Sequence, residues 1–511
     1  GRKRRMSVVA VKFRSSSRCA LTFLRLVVGI SSSSWSLSSS HPCSFPNLFP
    51  HCLEVEHYIP NVVVLDVLQC PGFRVSFPPL ALIPPPKYHL KGGAYCGVLE
   101  QQKVAKGNVL LTSKPFVYLV NGSLKGLYCD YCLKKKRICT LQRCSGCKAE
   151  CYCDRDCQRG AWDIHRYECK NLQRIHPLIP PDTAKLMAKV IFKLKNGGDQ
   201  IEEKLSERKS RKFKDLMNHY TDLKDDKNRQ EHLTSLIVVL RKYIGSNNLP
   251  NEVDLQGIFG RICVNSFSIT DQDMNTAGTG VYLAASVFDH SCQPNSYVTF
   301  DGKRLMCRAL VDMPSLDWSK LRISYIDVMN TTMDRRNELH RRYYFWCDCR
   351  ACHNPERDKL MSSINCDLDL SQRGLEMQGD LFYKLNLLRV KFLDAAFEAA
   401  ICVENWDTAI KYGMQNIEGV KFCYGEDHPN IGLMLLKLGK ICLHVYRTQE
   451  ALQYLKQAEP VLRVSHGTSH PTYKEELMAL LQQAHEELMF MSQKKKKRIN
   501  DISVICRTTC G

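Results

Sequence analysis

Cys129-x-x-Cys132, Cys144-x-x-Cys147, Cys153-x-x-x-Cys157 and His165-x-x-x-Cys169 put eight thiol or imidazole groups at ligand spacing within about forty residues. A tetrahedral Zn²⁺ takes four such ligands at roughly 2.0 to 2.3 Å, and a pair on one tight turn can reach a single ion. Four pairs make two complete zinc shells. In the closing stretch, positions 158, 162, 165 and 169 recur at helical spacing, which predicts a short helix with the ligands on one face. Cys139 and Cys151 fall outside the pattern. Disulfides of a secreted domain are the competing explanation, and a regular ladder of pairs closing on a His argues against them.

This stretch resembles a MYND zinc finger. The resemblance implies crosswise pairing, with Cys129, Cys132, Cys153 and Cys157 on one ion and Cys144, Cys147, His165 and Cys169 on the other.

The 511 residues suffice for two to four domains, and 44% hydrophobic residues can fill their cores. The 26 cysteines cluster at metal-ligand spacing, so a reducing compartment is expected. The longest apolar run, Leu21 to Ile30, is too short to span a bilayer and is broken by Arg25. Of the formal charge of +20, eight Lys or Arg lie in residues 1 to 53, and Lys494 to Arg498 add five more. Charge concentrated at the ends weakens the case for a sequence-specific DNA-binding factor, which needs a basic folded element. The Lys494 to Arg498 run reads as a nuclear import address, a nucleic-acid patch or a solvated end.

Residues 1 to 85 are Ser-rich, acid-free until Glu54 and Pro-rich at Pro78 to Pro86. They are expected to be an unfolded leader or gene-model extension rather than a transit peptide. Asn108 to Val120 reads as two short strands around Lys114-Pro115. Asp182 to Leu194 and Gln230 to Ile244 carry apolar residues at helical spacing, and Asp254 onward continues that pattern into an apolar patch ending at Ile269. Short strands are expected at Val281 to Val287, Tyr297 to Phe300, Leu305 to Leu310 and Leu321 to Ile326. From about Leu370 to Met491 the chain reads as helical. Gly425-Glu426-Asp427-His428-Pro429 echoes in Gly467-Thr468-Ser469-His470-Pro471, with amphipathic helices near Ile431 to Val445 and Thr448 to Val464 between them. That period suggests a tetratricopeptide-like stack, an unrelated bundle being the alternative.

The catalytic candidate is Asp289-His290-Ser291-Cys292-Gln293-Pro294-Asn295, followed by Leu321-Arg322-Ile323-Ser324-Tyr325-Ile326-Asp327 and by Cys347-x-Cys349-x-x-Cys352. The last three cysteines with Cys292 would complete a third zinc shell, closing a loop of more than fifty residues and making metal binding part of the folding free energy.

Together these elements resemble a SET domain with its cysteine-rich cap. With the finger and helical repeats they are similar to the SMYD family of protein-lysine methyltransferases, over Tyr88 to Leu488. The fold so implied is α+β and multidomain. It divides into a leader (1–85), an N-terminal SET part (86–127), a MYND finger (128–170), a helical insertion (171–254), the SET core (255–328), a zinc-bound post-SET cap (329–356), a tetratricopeptide-like domain (357–491) and a basic tail (492–511). Moving a methyl to lysine is an in-line displacement that needs a neutral, aligned amine, which an apolar aromatic channel supplies by orientation and desolvation. The resemblance implies Tyr325 as catalytic tyrosine and Phe267 and Tyr282 as substrate-channel walls. It implies Asn265, Ser286, Asp289, His290, Tyr343, Phe345, Gly97 and Tyr220 as contacts of S-adenosyl-L-methionine, besides three structural Zn²⁺. Two positions depart from the family pattern. Asp289 replaces Asn, losing donor capacity, and the glycine turn aligns as Tyr95-Cys96-Gly97-Val98 with one glycine missing, near Gly92 and Gly93.

Histones or other lysine-bearing proteins are the implied substrates. Proline-rich peptides or DNA are implied at the finger and a heat-shock chaperone tail at the repeats. A monomer in cytoplasm and nucleus, with no membrane association, is expected. The alternative is a catalytically weak adaptor or corepressor.

Overall fold

The computed structural model describes residues 103–136, 141–207, 209–363 and 382–509, with side chains up to 494. The expectations for the leader, Gly92, Gly93, Gly97 and Cys139 lie outside these residues.

The chain enters through β1 (Val109–Ser113) and β2 (Val117–Val120), which Lys114-Pro115 separates and sends into different sheets. The zinc finger follows, with the short hairpin β3 (Gln142–Arg143) and β4 (Cys151–Tyr152) and the helix α1 (Arg155–Ile175), which Asp154 caps by accepting from Cys157 N. The sequence-predicted ligand helix is thus present and longer than expected. Next come α2 (Asp182–Lys195), the hairpin β5 (Glu203–Lys204) and β6 (Ser210–Arg211), α3 (Tyr220–Asp225), α4 (Lys227–Ile244) and α5 (Glu252–Asn265).

The second half of the β region comprises β7 (Ser266–Thr270), β8 (Thr276–Val281), β9 (Asp289–His290), β10 (Ser296–Asp301), β11 (Arg304–Ala309) and β12 (Arg322–Ile323). Strands before the finger pair with strands after it: β1 is antiparallel to β11, which also pairs β10, and β2 is antiparallel to β8, which also pairs β7. The finger, the β5–β6 hairpin and the four helices α2 to α5 are therefore an excursion from one β region. At the tip of the β10–β11 hairpin, Gly302 has φ +57°, and a Cβ there would lie 2.3 Å from Cys132 O, so glycine lets the turn press against the finger.

Two strand expectations are corrected. Val281 to Val287 does not continue as β structure; Ala284–Val287 forms a 3₁₀ turn, with Ser286 Oγ donating to Leu283 O at 2.6 Å. Leu321 to Ile326 is extended only at Arg322–Ile323, because Ser324 Oγ turns back to donate to Ile326 O.

Helix α6 (Thr332–Tyr343) and α7 (Pro355–Met361) flank the last cysteine cluster. The C-terminal region is helical throughout its described length: α8 (Leu387–Cys402), α9 (Trp406–Tyr424), α10 (Pro429–His444), α11 (Thr448–Ser465) and α12 (Met478–Thr509). The repeated Gly-x-x-His-Pro has a local cause. Gly425 and Gly467 take φ +91° and +82° as α9 and α11 end. His428 Nδ1 and His470 Nδ1 then accept from the backbone N–H two residues on, each at 3.3 Å, with a Pro opening the next helical segment. Gly432 and Gly439 let α10 approach α11, since a Cβ at either would meet Leu462 or Leu455 within 2.8 Å. Helix α12 runs on to Thr509, through the start of the basic stretch at 492.

The helical region seats against the β region through His470 Nε2, 3.1 Å from Phe300 O, and Tyr424 OH, 2.8 Å from Asp327 Oδ1. Among the described residues no helix is long and apolar enough to cross a membrane.

Candidate functional site

Three ligand clusters form: Cys129, Cys132, Cys153 and Cys157; Cys144, Cys147, His165 and Cys169; and Cys292, Cys347, Cys349 and Cys352. The crosswise partition holds. Within each set the ligand atoms lie within 4.8 Å of one another. Tetrahedral zinc–thiolate bonds of about 2.3 Å imply ligand separations of roughly 3.8 Å. Cys132–Cys153 and Cys144–Cys169 each span 3.7 Å, and Cys292–Cys352 spans 3.6 Å. In the second cluster His165 Nε2 faces Cys147 Sγ at 3.6 Å and Cys144 Sγ at 3.3 Å, making it the ligand nitrogen. Donor chemistry and spacing thus fit structural Zn²⁺ at all three. Cys151 stays outside them, its N–H donating to Asp130 Oδ2 at 2.7 Å.

A buried ion network binds the finger to α2. Glu150 meets Lys185 at 2.8 Å and Lys125 at 2.9 Å, and Glu168 meets Lys189 at 2.7 Å and accepts from Tyr243 OH at 3.2 Å. Each carboxylate is enclosed, and its cations offset a desolvation that would otherwise be costly. Behind the third cluster Arg335 is fully buried, with Nη2 2.8 Å from Thr332 Oγ1 and 4.0 Å from Cys352 Sγ, and Nη1 donating to Asn330 O. Four thiolates around Zn²⁺ leave two net negative charges, so a buried guanidinium there is an electrostatic counterpart.

This third cluster fixes one wall of an aromatic site. Cys292 follows His290 by two residues, and β9 pairs in parallel with β12 so that His290 lies opposite Ile323. Tyr325 comes directly off β12. Its backbone N–H donates to His290 Nδ1 at 3.0 Å, and His290 Nε2 faces Cys292 Sγ at 3.3 Å. The imidazole is therefore a strut between Tyr325 and the zinc cluster, with both nitrogens engaged. Burial lowers its pKa to about 4, so the ring is neutral. The Tyr325 hydroxyl donates to Phe288 O, and burial, with Asp289 and Tyr343 adding, pushes its pKa above the usual phenol value. The rings of His290, Tyr343 and Phe345 surround it at 5.4, 5.0 and 6.5 Å between centroids. Tyr343 OH is 3.3 Å from Tyr325 O.

The other sequence candidates are placed less uniformly. Asp289 is exposed beside Arg322 Nη1 at 3.7 Å, and Ser286 sits on the 3₁₀ turn preceding it. Asn265 ends α5, its amide nitrogen donating to Met217 O and Arg261 O, both at 2.8 Å. Phe267 is half-buried and meets Tyr282 edge-on at 5.8 Å. Tyr282 is fully enclosed and donates to Lys303 O at 2.8 Å, so it backs Phe267 from the core rather than offering a channel surface. Tyr220 opens α3 and is 38% exposed. Sequence reasoning did not anticipate Arg335 or the β5–β6 hairpin, whose Arg211 Nη1 lies 3.3 Å from Ser286 Oγ. A charged residue within a polar run carries no signal of burial.

Fold and site thus define a zinc-stabilised, MYND-finger protein with an aromatic site braced by a further four-cysteine cluster. Residues 129–169 match the MYND finger family. The chain is 30% identical over 406 residues to human "Histone-lysine N-methyltransferase SMYD3", covering 74% of this chain and 92% of that protein. It is 26% identical to Xenopus laevis "N-lysine methyltransferase SMYD2-A", over 73% and 93% of the two chains, and 24% identical to human "N-lysine methyltransferase SMYD2", over 74% and 94%. The chain belongs to the SMYD family of lysine methyltransferases.

Proposed function

We propose that this chain is an S-adenosylmethionine-dependent protein-lysine N-methyltransferase, acting on histone or other protein lysines. The observation that carries this reading is the convergence on Tyr325 of the Phe288 carbonyl and the His290, Tyr343 and Phe345 rings, beside a cysteine cluster that rigidifies them. Bound S-adenosylmethionine would supply an electrophilic methyl on a sulfonium. Aromatic faces for a purine and the Asp289 carboxylate for a cationic centre fit such a ligand. Because Tyr325 gives its proton to Phe288 O, its oxygen can only accept. It therefore receives an N–H of the incoming lysine amine and points the nitrogen lone pair away from itself. The raised pKa keeps this phenol neutral near pH 7, so Tyr325 orients the amine and is not its base. The apolar surroundings favour the uncharged amine, whose proton leaves to water before the site closes.

In this reading the β region is a SET domain divided by the finger, with the domain limits drawn from the sequence. The cap is its zinc-bound closure, and the C-terminal helices are a tetratricopeptide-like module that takes an extended peptide such as a chaperone tail. The finger would recognise proline-rich peptides or DNA, and a monomer would work in cytoplasm and nucleus. The adaptor alternative draws on Asp289, which cannot donate as the family's Asn does.

Calorimetric titration with S-adenosylmethionine, together with radiolabelled methyl transfer to mixed histones, tests both. Tyr325→Phe is expected to bind cofactor normally and to lose transfer by about 10²-fold or more. A folded, zinc-loaded protein that does not bind the cofactor would sink the enzyme and leave the adaptor.

A further inference from the structure

The β5–β6 hairpin lies against the turn that carries Ser286 and leads into Asp289 of β9. Glu203 Oε2 accepts from Ala284 N at 2.9 Å, and Leu205 packs against the β-region core, so the hairpin is anchored to the site's floor. Its last residue, Arg211, is half-buried. Nη1 reaches Ser286 Oγ at 3.3 Å, but that hydroxyl already donates to Leu283 O at 2.6 Å and can offer only a lone pair. Asp215, Asp289 and Tyr325 are the ionisable groups facing the guanidinium. Among the described residues no carboxylate comes within ion-pair distance of it; Asp289 is 3.7 Å from Arg322 instead. Five N–H donors with one long contact to a neutral hydroxyl are far from satisfied, and leaving a guanidinium half-desolvated without an anion is unfavourable.

We propose that Arg211 is a further cofactor-binding residue, its guanidinium holding the α-carboxylate of S-adenosylmethionine. This rests on the methyltransferase reading above. The cofactor has one anionic group, and its ammonium and sulfonium are cations. Arg211 stands near Asp289, whose carboxylate also faces Arg322 at 3.7 Å, so the site offers an unpaired cation for the carboxylate and an anion for the ammonium of an amino-acid end. A planar guanidinium also presents paired donors that match a carboxylate's two oxygens, which a lysine ammonium does not. Burial, opposed by Asp215, Asp289 and Tyr325, lowers the Arg211 pKa only from a very high starting value, so it stays charged.

The test uses the full, zinc-loaded chain and two ligands. S-adenosylhomocysteine carries the amino-acid end, whereas 5′-deoxy-5′-methylthioadenosine keeps nucleoside and thioether without it. Arg211→Gln is expected to weaken S-adenosylhomocysteine by about ten-fold or more and methylthioadenosine by less than about two-fold, with Arg211→Lys intermediate for the first. Melting without ligand establishes that each variant folds. Equal weakening of both ligands, or of neither, would overturn the assignment and leave Arg211 a structural residue. Tighter S-adenosylhomocysteine binding by Arg211→Gln would overturn it too, making the guanidinium an occluding group. If the folded wild-type chain binds neither ligand, the methyltransferase reading itself fails, an outcome distinct from intact wild-type binding with an indifferent variant.

Discussion

The finger and the C-terminal helices close their interiors by opposite means. Between Cys129 and Cys169 the buried positions include Cys129, Cys144, Cys147, Glu150, His165, Glu168 and Cys169, groups that exclude water usefully only if an ion or counter-charge satisfies them. From α8 to α11 they are mostly apolar, among them Leu387, Val390, Phe397, Ile410, Leu436, Leu438, Leu455 and Leu462, which need no metal to be buried. The site adjoins both kinds of interior. Tyr325 packs against Cys292 and Cys347 of the metal-organised cap, while Asp327, two residues on, is tied to the helices through Tyr424. One half of the site's support is conditional on zinc and the other is not.

The widest separation between the halves should come from chelation. Structural zinc sites contribute on the order of 10 kcal/mol or more to folding, so stripping the metal is expected to unfold residues 129–169 and 289–352 while much of the helical signal persists. Hydrogen exchange followed by mass spectrometry reads this directly: fast exchange at the finger and cap, retained protection over Leu433–Leu443. Simultaneous loss of protection in both regions would mean that the helices depend on the metal too.

The reverse perturbation is Leu438→Ala. Leu438 is fully buried, and its Cδ2 lies 2.7 Å from where a Cβ on Gly413 would stand, so truncation opens a cavity between α9 and α10. A loss of about 2 to 5 kcal/mol in denaturant unfolding is expected, with zinc content unchanged. Zinc loss from the folded variant would show the two interiors to be coupled.

The same contrast explains what could be read from the chain itself. Ligand chemistry survives in sequence as spacing, so all twelve metal residues and their partition into three sets stand where the residues and the family resemblance put them. The helix pair between the two His-Pro repeats was also legible, because the Gly, His and Pro do local work at each helix junction. The site was harder. Strands β9 and β12 are two residues each, too short for any period, and exist because the Asn295 side chain accepts from Arg322 N at 2.7 Å and His290 accepts from Tyr325 N. Tyr282 carries the composition of a channel wall yet lies in the core, one residue past the end of β8, with its hydroxyl donating to Lys303 O in a remote turn. Arg211 meets its partner 75 positions away, and Arg335, although it bonds Asn330 and Thr332 nearby, is buried by the cysteine cluster it faces, which no local pattern announces.

The seam between the two regions should itself be acid-sensitive, by a smaller amount. His466 is 2% exposed, and its Nδ1 lies 2.9 Å from Ser465 Oγ, whose own proton goes to Val461 O. Nδ1 must then carry the ring's proton. Burial, with His470 and the Arg308 guanidinium adding, holds the His466 pKa down to about 3. His470 is also lowered by burial, although Phe300 O and Asp301 pull it the other way. Above about pH 6.5, folded and unfolded chains both keep His466 neutral, and the full stability is present. Between pH 6.5 and about 3 only the unfolded chain takes the proton, so stability falls as pH falls. From pH 7 to pH 5 the loss from this one group is about 2 kcal/mol. Urea midpoints measured at those two pH values on wild type and His466→Phe would isolate it: the variant should lose less stability on acidification. Identical slopes would mean that His466 takes up its proton in the folded chain, with Arg308 and the ends of α11 and β11 moving apart to admit it.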